Sequence, residues 1–470
     1  MIFSQVDRYV RYMMGATILI ALLTYWRFRG IELSSVYGYV AQQDVVHSQM
    51  FGNISEARPV VWDFFGLINK LLMPHSIIII KIFGLALIVL NLVLIPKLLD
   101  YMLGQRFWGF LCVFLTALSP FSVIAAVSGG PWAIAVVITV IFLTAIYRNE
   151  YVFAGILSGV AMAANLPGVI MFLITILDLL QNSTDRKKIT SRILLSTAGF
   201  FGVAAVLFAY SAYSGSVRIF SVPISESNLI WNFVAVVPLC VVNMLNIAGI
   251  VYLIVRKRYD FYKTHFHTLM LWITSSALCM VQPSTLNYSV AMVISTILSM
   301  FFLQGFASLW DLKLVPPETF VFVFVVVFLF SDLYANNKFL KDVVLAESAE
   351  RTGVVNEVAA AIMSTGRNYQ LVSNFSPEEL SVKLGKKVFA VQENILPMSG
   401  WIPVVDEGFV SGKTSRENIS VPGSKMIYVA QRTSRVDTLF SGCESLLSTN
   451  YSEGGKVHFV KVTRCENNNE

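Results

Sequence analysis

Runs of about 20 apolar residues recur through most of positions 1–336, and they constrain the fold of this chain more than any other feature. A helix of that length crosses the roughly 30 Å hydrocarbon core of a bilayer. Only 14% of the 470 residues are charged and 56% are hydrophobic, whereas soluble domains carry about 25% charged residues. The sequence therefore predicts an α-helical polytopic membrane protein.

About eleven spans are predicted, separated mostly by short polar breaks that make successive helices antiparallel neighbours. The apolar block Val152–Leu180 is too long for one upright span. We divide it into two helices at Asn165-Leu166-Pro167-Gly168, because proline and glycine interrupt a helix. The other predicted spans are Tyr12–Trp26, Ser76–Leu98, Phe107–Val127, Trp132–Tyr147, Ile193–Tyr213, Leu229–Val255, Leu269–Val281, Val290–Leu309 and Phe320–Leu333.

The basic residues predict which side of the membrane each loop occupies. The net charge of +6 comes from Lys and Arg spread over short loops, such as Arg186-Lys187-Lys188 and Arg256-Lys257-Arg258, and this pattern excludes a nucleic-acid partner. Under the positive-inside rule these loops and the N-terminus are cytoplasmic, and the odd number of spans exports everything after Asn336. We expect a multi-pass protein of a bacterial inner membrane with a periplasmic tail.

Composition changes after residue 336, which predicts a transmembrane domain over residues 1–336 and a soluble extracytoplasmic α/β domain over residues 337–470. In the second domain, Asp342–Ser364 has the pattern of a helix. Cys443 and Cys465 either form a disulfide or remain two free thiols, and the sequence leaves both readings open. Strand patterns occur at Tyr369–Ser373, Lys387–Gln392, Met426–Gln431 and Val457–Val462.

One polar stretch, Gly30–His75, is far longer than the other breaks between early spans. Helix connections usually take only a few residues, so we expect this stretch to fold and to carry part of an active site. Asp44 lies near its centre, with His47 about one helical turn further on. After Arg58-Pro59, the segment Val60–Leu72 is amphipathic at mostly helical spacing and can lie on the bilayer surface.

The order of these features resembles the C-type glycosyltransferase fold over roughly residues 1–180. The resemblance rests on the first helix, the long acidic loop, the aromatic amphipathic segment RPVVWDFFGLINKLLM, and LSPFSVIAAVSGGPWAIAVVITVIFLTAIYRNEYVFAGILSGVAMAANLPGVI. The pattern is similar to that of protein O-mannosyltransferases and aminoarabinose-transferase-like enzymes. It implies a polyprenyl-phosphate sugar donor, an acidic residue in the first outer loop and an exported domain after the last helix.

The reaction implied by the resemblance is attack of an acceptor hydroxyl, on a lipid, protein or glycan, at the anomeric carbon of the sugar. A base must take the hydroxyl proton, and cations must stabilise the departing lipid phosphate. Asp44 is the expected base, and Arg58 is the expected phosphate ligand because a guanidinium binds phosphate in bidentate geometry. This scheme needs no metal or other cofactor, and the sequence contains no metal-ligand spacing.

Several roles within and beside this loop stay open. His47, Lys70 and His75 are further candidates for binding the donor phosphate, although Lys70 and His75 can equally reach toward lipid headgroups. Asp44 can instead cap a helix or stay solvated. The alternative acids are Glu56 and Asp63.

The chain departs from the family pattern at three positions. Asp44-Val45 lacks a second acid, Pro131-Trp132 lacks an acid after the proline, and Asn165 stands where an arginine is frequent. These departures favour an alternative function, a non-catalytic member of the fold that binds lipid or a partner subunit. A solute transporter is a third possibility, disfavoured because Lys81 is the main charge expected within the spans and no repeated halves are visible.

The predicted orientation can be tested with variants that carry a new cysteine at Ser411 or Ser183. A membrane-impermeant maleimide on intact cells is expected to label Ser411→Cys, because the tail is exported. Ser183→Cys should react only after the membrane is permeabilised, because the positive-inside rule places its loop in the cytoplasm, where the reagent cannot reach it. Unsubstituted protein gives the background from native cysteines. The opposite labelling pattern would reverse the orientation and move Gly30–His75 to the cytoplasmic side.

Overall fold

The structure is a computed structural model of the chain, in which a bundle of apolar helices is followed by a C-terminal region built around a seven-stranded sheet. The two parts are joined by continuous helix. The residues that the structure describes are 15–16, 18–32, 37, 68–69, 71–104, 106–129, 132–163, 168–182, 186–213, 233–257, 259–281, 285–309, 317–366, 369–386, 388–391, 401–406, 415–420, 425–431, 443–453 and 456–465.

The bundle is organised around one central helix, α12. From Asn287 to Gln304, 94% of this helix is buried by its neighbours, whereas apolar stretches of α2 and α8 are only 28% and 11% buried. Apolar helices that leave most of their surface uncovered are expected where lipid is the solvent. The helices are α1 (Ile18–Arg27), α2 (Ile78–Leu103), α3 (Arg106–Ala117), α4 (Pro120–Ser128), α5 (Trp132–Tyr147), α6 (Tyr151–Ala163), α7 (Gly168–Asn182), α8 (Arg186–Tyr213), α9 (Phe233–Val255), α10 (Tyr259–Thr264), α11 (Phe266–Val281), α12 (Thr285–Leu309) and α13 (Pro317–Ala335).

Within the described ranges, five helices are long and apolar enough to cross a bilayer, or six if the bent pair α3–α4 counts as one span. Shorter apolar helices lie beside them: α1, α5, α6, α7 and α11. A bilayer core of about 30 Å requires about 20 helical residues, so these shorter helices meet the requirement only if the membrane is thinned around them or they extend further. The count of about eleven spans stays a prediction.

The predicted single span Phe107–Val127 is two helices, α3 and α4, which meet at an angle of 71°. The bend has a local cause. Ser119 caps α4 by accepting a hydrogen bond from the backbone N–H of Ser122 (3.3 Å), and Pro120 occupies the first turn, where its missing N–H costs nothing. The Leu-Ser-Pro sequence therefore starts a new helix where hydrophobicity alone suggested one continuous span.

No break in the helix marks the predicted domain boundary after residue 336. Helix α13 runs directly into a π-helix, Asn336–Leu345, and then into α14, Ala346–Ser364. No proline or glycine occurs between Glu318 and Thr352, so nothing in the backbone interrupts the run. The C-terminal region is thus carried on a helix that begins inside the bundle.

The C-terminal sheet has the strand order β4-β3-β2-β1-β5-β7-β6. Strand β1 pairs in parallel with β2 and β5, and the remaining pairs are antiparallel. Helix α14 covers one face, where Val355, Val358 and Ile362 pack with Ile427 and Val460 in a second hydrophobic cluster. The elements are β1 (Gln370–Ser373), α15 (Pro377–Leu384), β2 (Val388–Val391), β3 (Trp401–Asp406), β4 (Ser415–Ser420), β5 (Met426–Gln431), β6 (Glu444–Glu453) and β7 (Lys456–Cys465).

Four strands coincide with the strand patterns in the sequence, and three strands and one helix do not. The patterns at Tyr369–Ser373, Lys387–Gln392, Met426–Gln431 and Val457–Val462 match β1, β2, β5 and β7. Strands β3, β4 and β6 contain charged or small polar residues and one proline, which hide their alternation. The structure joins Cys443 and Cys465 in a disulfide, with a Cα–Cα distance of 4.7 Å, next to the β6–β7 hairpin.

Helices α6 and α8 pack at close range through Gly155 and Gly159. A Cβ atom on Gly155 would lie 2.4 Å from the backbone oxygen of Ser196, and one on Gly159 would lie 3.0 Å from that of Phe200. The Gly-x-x-x-Gly spacing puts both glycines on one helical face, so the two backbones can approach as small residues allow in membrane bundles.

Amide and hydroxyl groups tie α9, α11 and α12 together. Asn243 Oδ1 accepts from Trp272 Nε1 (2.8 Å) and from Ser295 Oγ (2.9 Å). One turn further along, Asn246 donates to the backbone oxygen of Ser295 (2.9 Å) and accepts from Ser299 Oγ (2.8 Å). Such paired polar groups stabilise helix contacts where lipid offers no hydrogen-bond partner.

We expect Gly155→Ala to lower the free energy of unfolding by about 1–3 kcal/mol, because the new methyl group meets backbone that cannot move without separating α6 from α8. The matched control is Gly202→Ala on α8, where nothing lies within 4 Å of the added Cβ. This control should be neutral or slightly stabilising, since alanine favours helix. Thermal unfolding in detergent measures both variants. Equal melting temperatures would contradict the close packing.

Candidate functional site at the junction of the bundle and the C-terminal region

Lys81 anchors a group of charged residues where the end of α1, the first turn of α2 and helix α14 meet. Its ammonium donates to the backbone oxygens of Arg29 (3.4 Å) and Ile31 (3.3 Å) and to Glu32 Oε1 (3.3 Å). An ammonium has three N–H donors, and these acceptors use all three, with the side chain only 19% exposed. The chain that follows α1 is therefore wrapped around Lys81.

Glu32 is held from several directions. Its second carboxylate oxygen accepts a short hydrogen bond from the Tyr37 hydroxyl. Its backbone N–H donates to Ser348 Oγ (2.7 Å), and its backbone oxygen accepts from Ser348 Oγ (3.1 Å) and from Arg351 Nη2 (2.8 Å). Ser348 and Arg351 belong to α14, so the residue that binds Lys81 is fastened to the C-terminal region.

The surroundings of Glu32 favour its ionised form. Burial raises the pKa of this carboxyl group, but the Lys81 charge and the hydrogen bonds from Tyr37 and Lys81 outweigh burial, so the pKa is lowered. A lowered carboxyl pKa adds stability above the ordinary value of 4.5, and that stability is lost as the pH falls through the lowered value. Burial, together with the Glu32 charge, raises the pKa of Tyr37, which stays a hydrogen-bond donor.

Behind Arg351 lies a second carboxylate, Glu379 of α15, which is fully buried. Arg351 Nη2 stands 3.6 Å from Glu379 Oε2, and Lys383 Nζ stands 3.5 Å from Glu379 Oε1. These are ion pairs without good hydrogen-bond geometry, and burial raises the pKa of Glu379 more than the two cations lower it. Charges of alternating sign thus run from Lys383 through Glu379, Arg351 and Glu32 to Lys81.

His75, a predicted phosphate ligand, contacts the C-terminal region through one of its ring nitrogens. Its Nδ1 is 3.2 Å from the backbone oxygen of Val382, which only a protonated nitrogen can satisfy. Gly385 follows in the same turn with φ +59°, and a Cβ there would lie 2.4 Å from the His75 ring. Both ends of Gly30–His75 therefore contact the C-terminal region, Glu32 at the start and His75 at the end.

The break after α4 lies beside Lys81 at its described end, Gly129. A Cβ on Gly129 would meet the backbone nitrogen of Lys81 at 2.8 Å, and Gly129 has φ +75°. Gly84 of α2 packs against the same glycine, whose Cα would be 3.0 Å from a Cβ on Gly84. The end of α4 and the start of α2 are thus in backbone contact at this point.

The remaining predicted site residues fall outside the described residues: Asp44, His47, Arg58 and Lys70, with the Asn165 turn. Their roles stay predictions. The sequence reading missed Glu32, Ser348 and Arg351. The one signal in the sequence for these residues is Lys81, a cation inside the apolar run IIIIKIF. Burying such a cation costs free energy unless polar partners lie nearby, so partners were to be expected.

The bundle also buries acids that the sequence reading overlooked when it took Lys81 as the main charge within the spans. Asp178 of α7 accepts from the Tyr151 hydroxyl (3.1 Å) and lies 3.2 Å from His267 Nδ1 of α11. Asp332 near the end of α13 is 1% exposed, and neither of its carboxylate oxygens has a hydrogen-bond partner among the described residues. Both acids were visible in the sequence as single charges in apolar runs.

The junction carries more positive than negative side chains among the described residues. Three cations, Lys81, Arg351 and Lys383, face two carboxylates, Glu32 and Glu379. No group of three or more His, Cys, Asp or Glu side chains that could hold a metal ion occurs in the described part of the chain. Of these three cations, Lys81 is the one that lies on an apolar helix of the bundle.

No known protein family and no curated protein sequence matches this chain. Solved structures are similar to it in fold. The crystal structure of ArnT from Cupriavidus metallidurans bound to undecaprenyl phosphate has a TM-score of 0.56 and 12% identity, over 95% of this chain and 97% of that chain. The crystal structure of the same protein in the apo state gives the same values. The chain therefore has the fold of ArnT, which confirms the predicted resemblance to the C-type glycosyltransferase fold, and its long apolar helices are those of an integral multi-pass membrane protein.

Proposed function

We propose that the protein is a membrane glycosyltransferase that moves a sugar from a polyprenyl-phosphate donor to an acceptor hydroxyl on the extracytoplasmic side. The observation that carries this proposal is the shared fold, which extends over 95% of the chain and includes an ArnT structure bound to undecaprenyl phosphate. Lys81, mostly buried in the first turn of the apolar helix α2, supports it because a cation at the end of a membrane span can meet a lipid phosphate at the headgroup level.

In the proposed reaction the acceptor oxygen forms a bond to the anomeric carbon, and the bond from that carbon to the donor phosphate oxygen breaks. Asp44 takes the proton from the acceptor hydroxyl. Arg58 and Lys81 stabilise the negative charge that the departing phosphate gains. His47 and Lys70 are further cations on the same loop, whereas His75 is assigned to the contact with Val382.

A specific observation favours the alternative, a non-catalytic member of the fold that binds lipid or a partner subunit. Lys81 is already neutralised by Glu32 and satisfied by two backbone oxygens. A lysine with this set of partners can serve to hold the junction together without any ligand. Purified protein incubated with radiolabelled polyprenyl-phosphate sugars and an acceptor extract separates the two functions, because only the transferase moves label to an acceptor.

Asp44→Asn is expected to lower turnover by about 100-fold or more, because the amide keeps the shape of the carboxylate but cannot accept the proton. The amount of protein in the membrane should stay unchanged. Glu357→Gln is the matched control and should retain activity, because Glu357 is an exposed residue of α14 whose carboxylate accepts from Thr449. Normal turnover in the Asp44→Asn variant would rule out Asp44 as the base.

Arg58→Ala and Lys81→Met are each expected to raise KM for the donor by about tenfold, because each removes a phosphate cation. Lys97→Met, at the exposed far end of α2, is the control. Loss of Lys81 also leaves Glu32 unpaired, so a Glu32→Gln, Lys81→Met double variant removes both charges. If the double variant regains the wild-type KM, Lys81 only supports the junction and does not bind the donor.

A further inference from the structure

The segment from Arg29 to Glu32 supplies every protein acceptor of the Lys81 ammonium in the described structure: two backbone oxygens and one carboxylate oxygen. The position of the ammonium therefore depends on where this short segment is held. Residues 33–36 lie outside the described ranges. The described support of the segment comes from α1 on one side, from α14 on the other, and from the Tyr37 hydroxyl that donates to the Glu32 carboxylate.

Helix α14 holds the segment at a single peptide. Ser348 both accepts from the Glu32 N–H and donates to the Glu32 oxygen, and Arg351, three residues later on the same helical face, donates to that oxygen as well. Ser348 and Arg351 are 6% and 9% exposed, so solvent competes little for these bonds. The hydrogen bonds to Glu32 span more than 310 residues of sequence and join the C-terminal region to Lys81.

Arg351 is itself held in place. Glu379 stands on its other side, 3.6 Å away, and Lys383 neutralises Glu379 from the next turn of α15. A buried arginine with a fixed counter-ion has few alternative rotamers, so it presents Nη2 to the Glu32 oxygen in one direction. The continuous helix from α13 through α14 further limits how far these groups can move relative to the bundle.

We infer that Ser348 and Arg351 are positioning residues for the Lys81 ammonium, so that the C-terminal region forms part of the donor-phosphate site rather than an appended module. This inference rests on the proposed function for its catalytic consequence, although the positioning itself is a property of the fold. Neither residue touches the donor. Each acts through Glu32, whose peptide they fasten and whose carboxylate meets Lys81.

The test compares Ser348→Ala with Ser364→Ala. Both remove a hydroxyl from α14, but the described hydrogen bond of the Ser364 hydroxyl goes to the backbone of its own helix, at Ala361. The first readout needs no enzymatic activity: the rate at which a water-soluble acylating reagent modifies Lys81, followed by mass spectrometry on the full-length protein. The second readout is KM for the polyprenyl-phosphate donor and kcat, measured separately.

Ser348→Ala is expected to raise the rate of Lys81 modification and KM for the donor by about tenfold each, the scale set by losing two hydrogen bonds. The value of kcat should stay within about twofold, because the base is untouched. Ser364→Ala should change none of the three. An unspecific loss of folding would instead lower kcat and protein yield in parallel.

Arg351→Lys is a second variant. It keeps the positive charge beside Glu379, but a compact ammonium group replaces the planar guanidinium and its fixed set of donors. It should reproduce the rise in Lys81 modification while the C-terminal region stays folded. Unchanged modification of Lys81 in both variants would overturn the inference. If modification rises but donor KM does not, Lys81 is positioned by α14 yet plays no part in donor binding, which overturns the catalytic consequence. If wild-type protein transfers no sugar, the modification rates alone decide the positioning, and the proposed function fails separately.

Discussion

The junction depends on one constraint: a lysine ammonium at the end of an apolar helix must find acceptors. Removing an ammonium from water without partners costs several kcal/mol, so a chain with Lys81 in the first turn of α2 folds only if oxygen atoms are brought to it. The structure meets this need by turning the chain after α1 around Lys81 and by placing Glu32 against it. Once Glu32 is there, its peptide is available to Ser348 and Arg351, and the C-terminal region is bound to the bundle at that point.

The way in which α13 continues into α14 makes this contact possible. If a flexible linker joined the two parts, ordering the C-terminal region against the bundle would cost conformational entropy. A continuous helix removes much of that cost, because Ser348 and Arg351 are presented at a fixed distance from the end of α13. The π-helical stretch Asn336–Leu345 adds a bond to the α1 end, where Arg27 donates to Asn337 Oδ1 (2.9 Å). The end of α1 and the continuous helix from α13 to α14 are therefore joined at two successive levels, through Arg27 and through Glu32.

Inside the bundle, polar side chains pair between helices as well as with the backbone of their own helix. The Asn243 and Asn246 amides, the α6–α8 glycine contact and the Asp178–His267 pair each join helices distant in sequence. Such contacts matter in a membrane because burying apolar surface gives little net gain when lipid is equally apolar. The bundle is thus held by close packing and hydrogen bonds, while its outer helices leave apolar side chains uncovered.

The residue pattern predicted the membrane class, the helix bounds of α5, α6 and α7 within a few residues, four strands of the sheet and the resemblance to the C-type glycosyltransferase fold. These features follow from local properties: apolar run length, proline and glycine breaks, and alternation. The pattern missed the bend between α3 and α4, because a Ser-Pro start signal inside a long apolar run was outweighed by hydrophobicity. It also missed β3, β4 and β6, whose polar residues hide the alternation on which a strand prediction depends.

The residues of the candidate site also divide into those that the sequence indicated and those that only the structure revealed. Sequence alone marked Lys81 as a costly charge, and it marked Gly30–His75 as a stretch too long to be mere connection. It could not identify Glu32 as the partner of Lys81, because a single glutamate after a helix looks like any solvated carboxylate. It could not connect Glu32 to Ser348 or Arg351, more than 310 positions away, because contacts at that separation leave no periodic trace in one sequence. Local composition fixed which groups needed partners, and only the tertiary structure decided which partners they found.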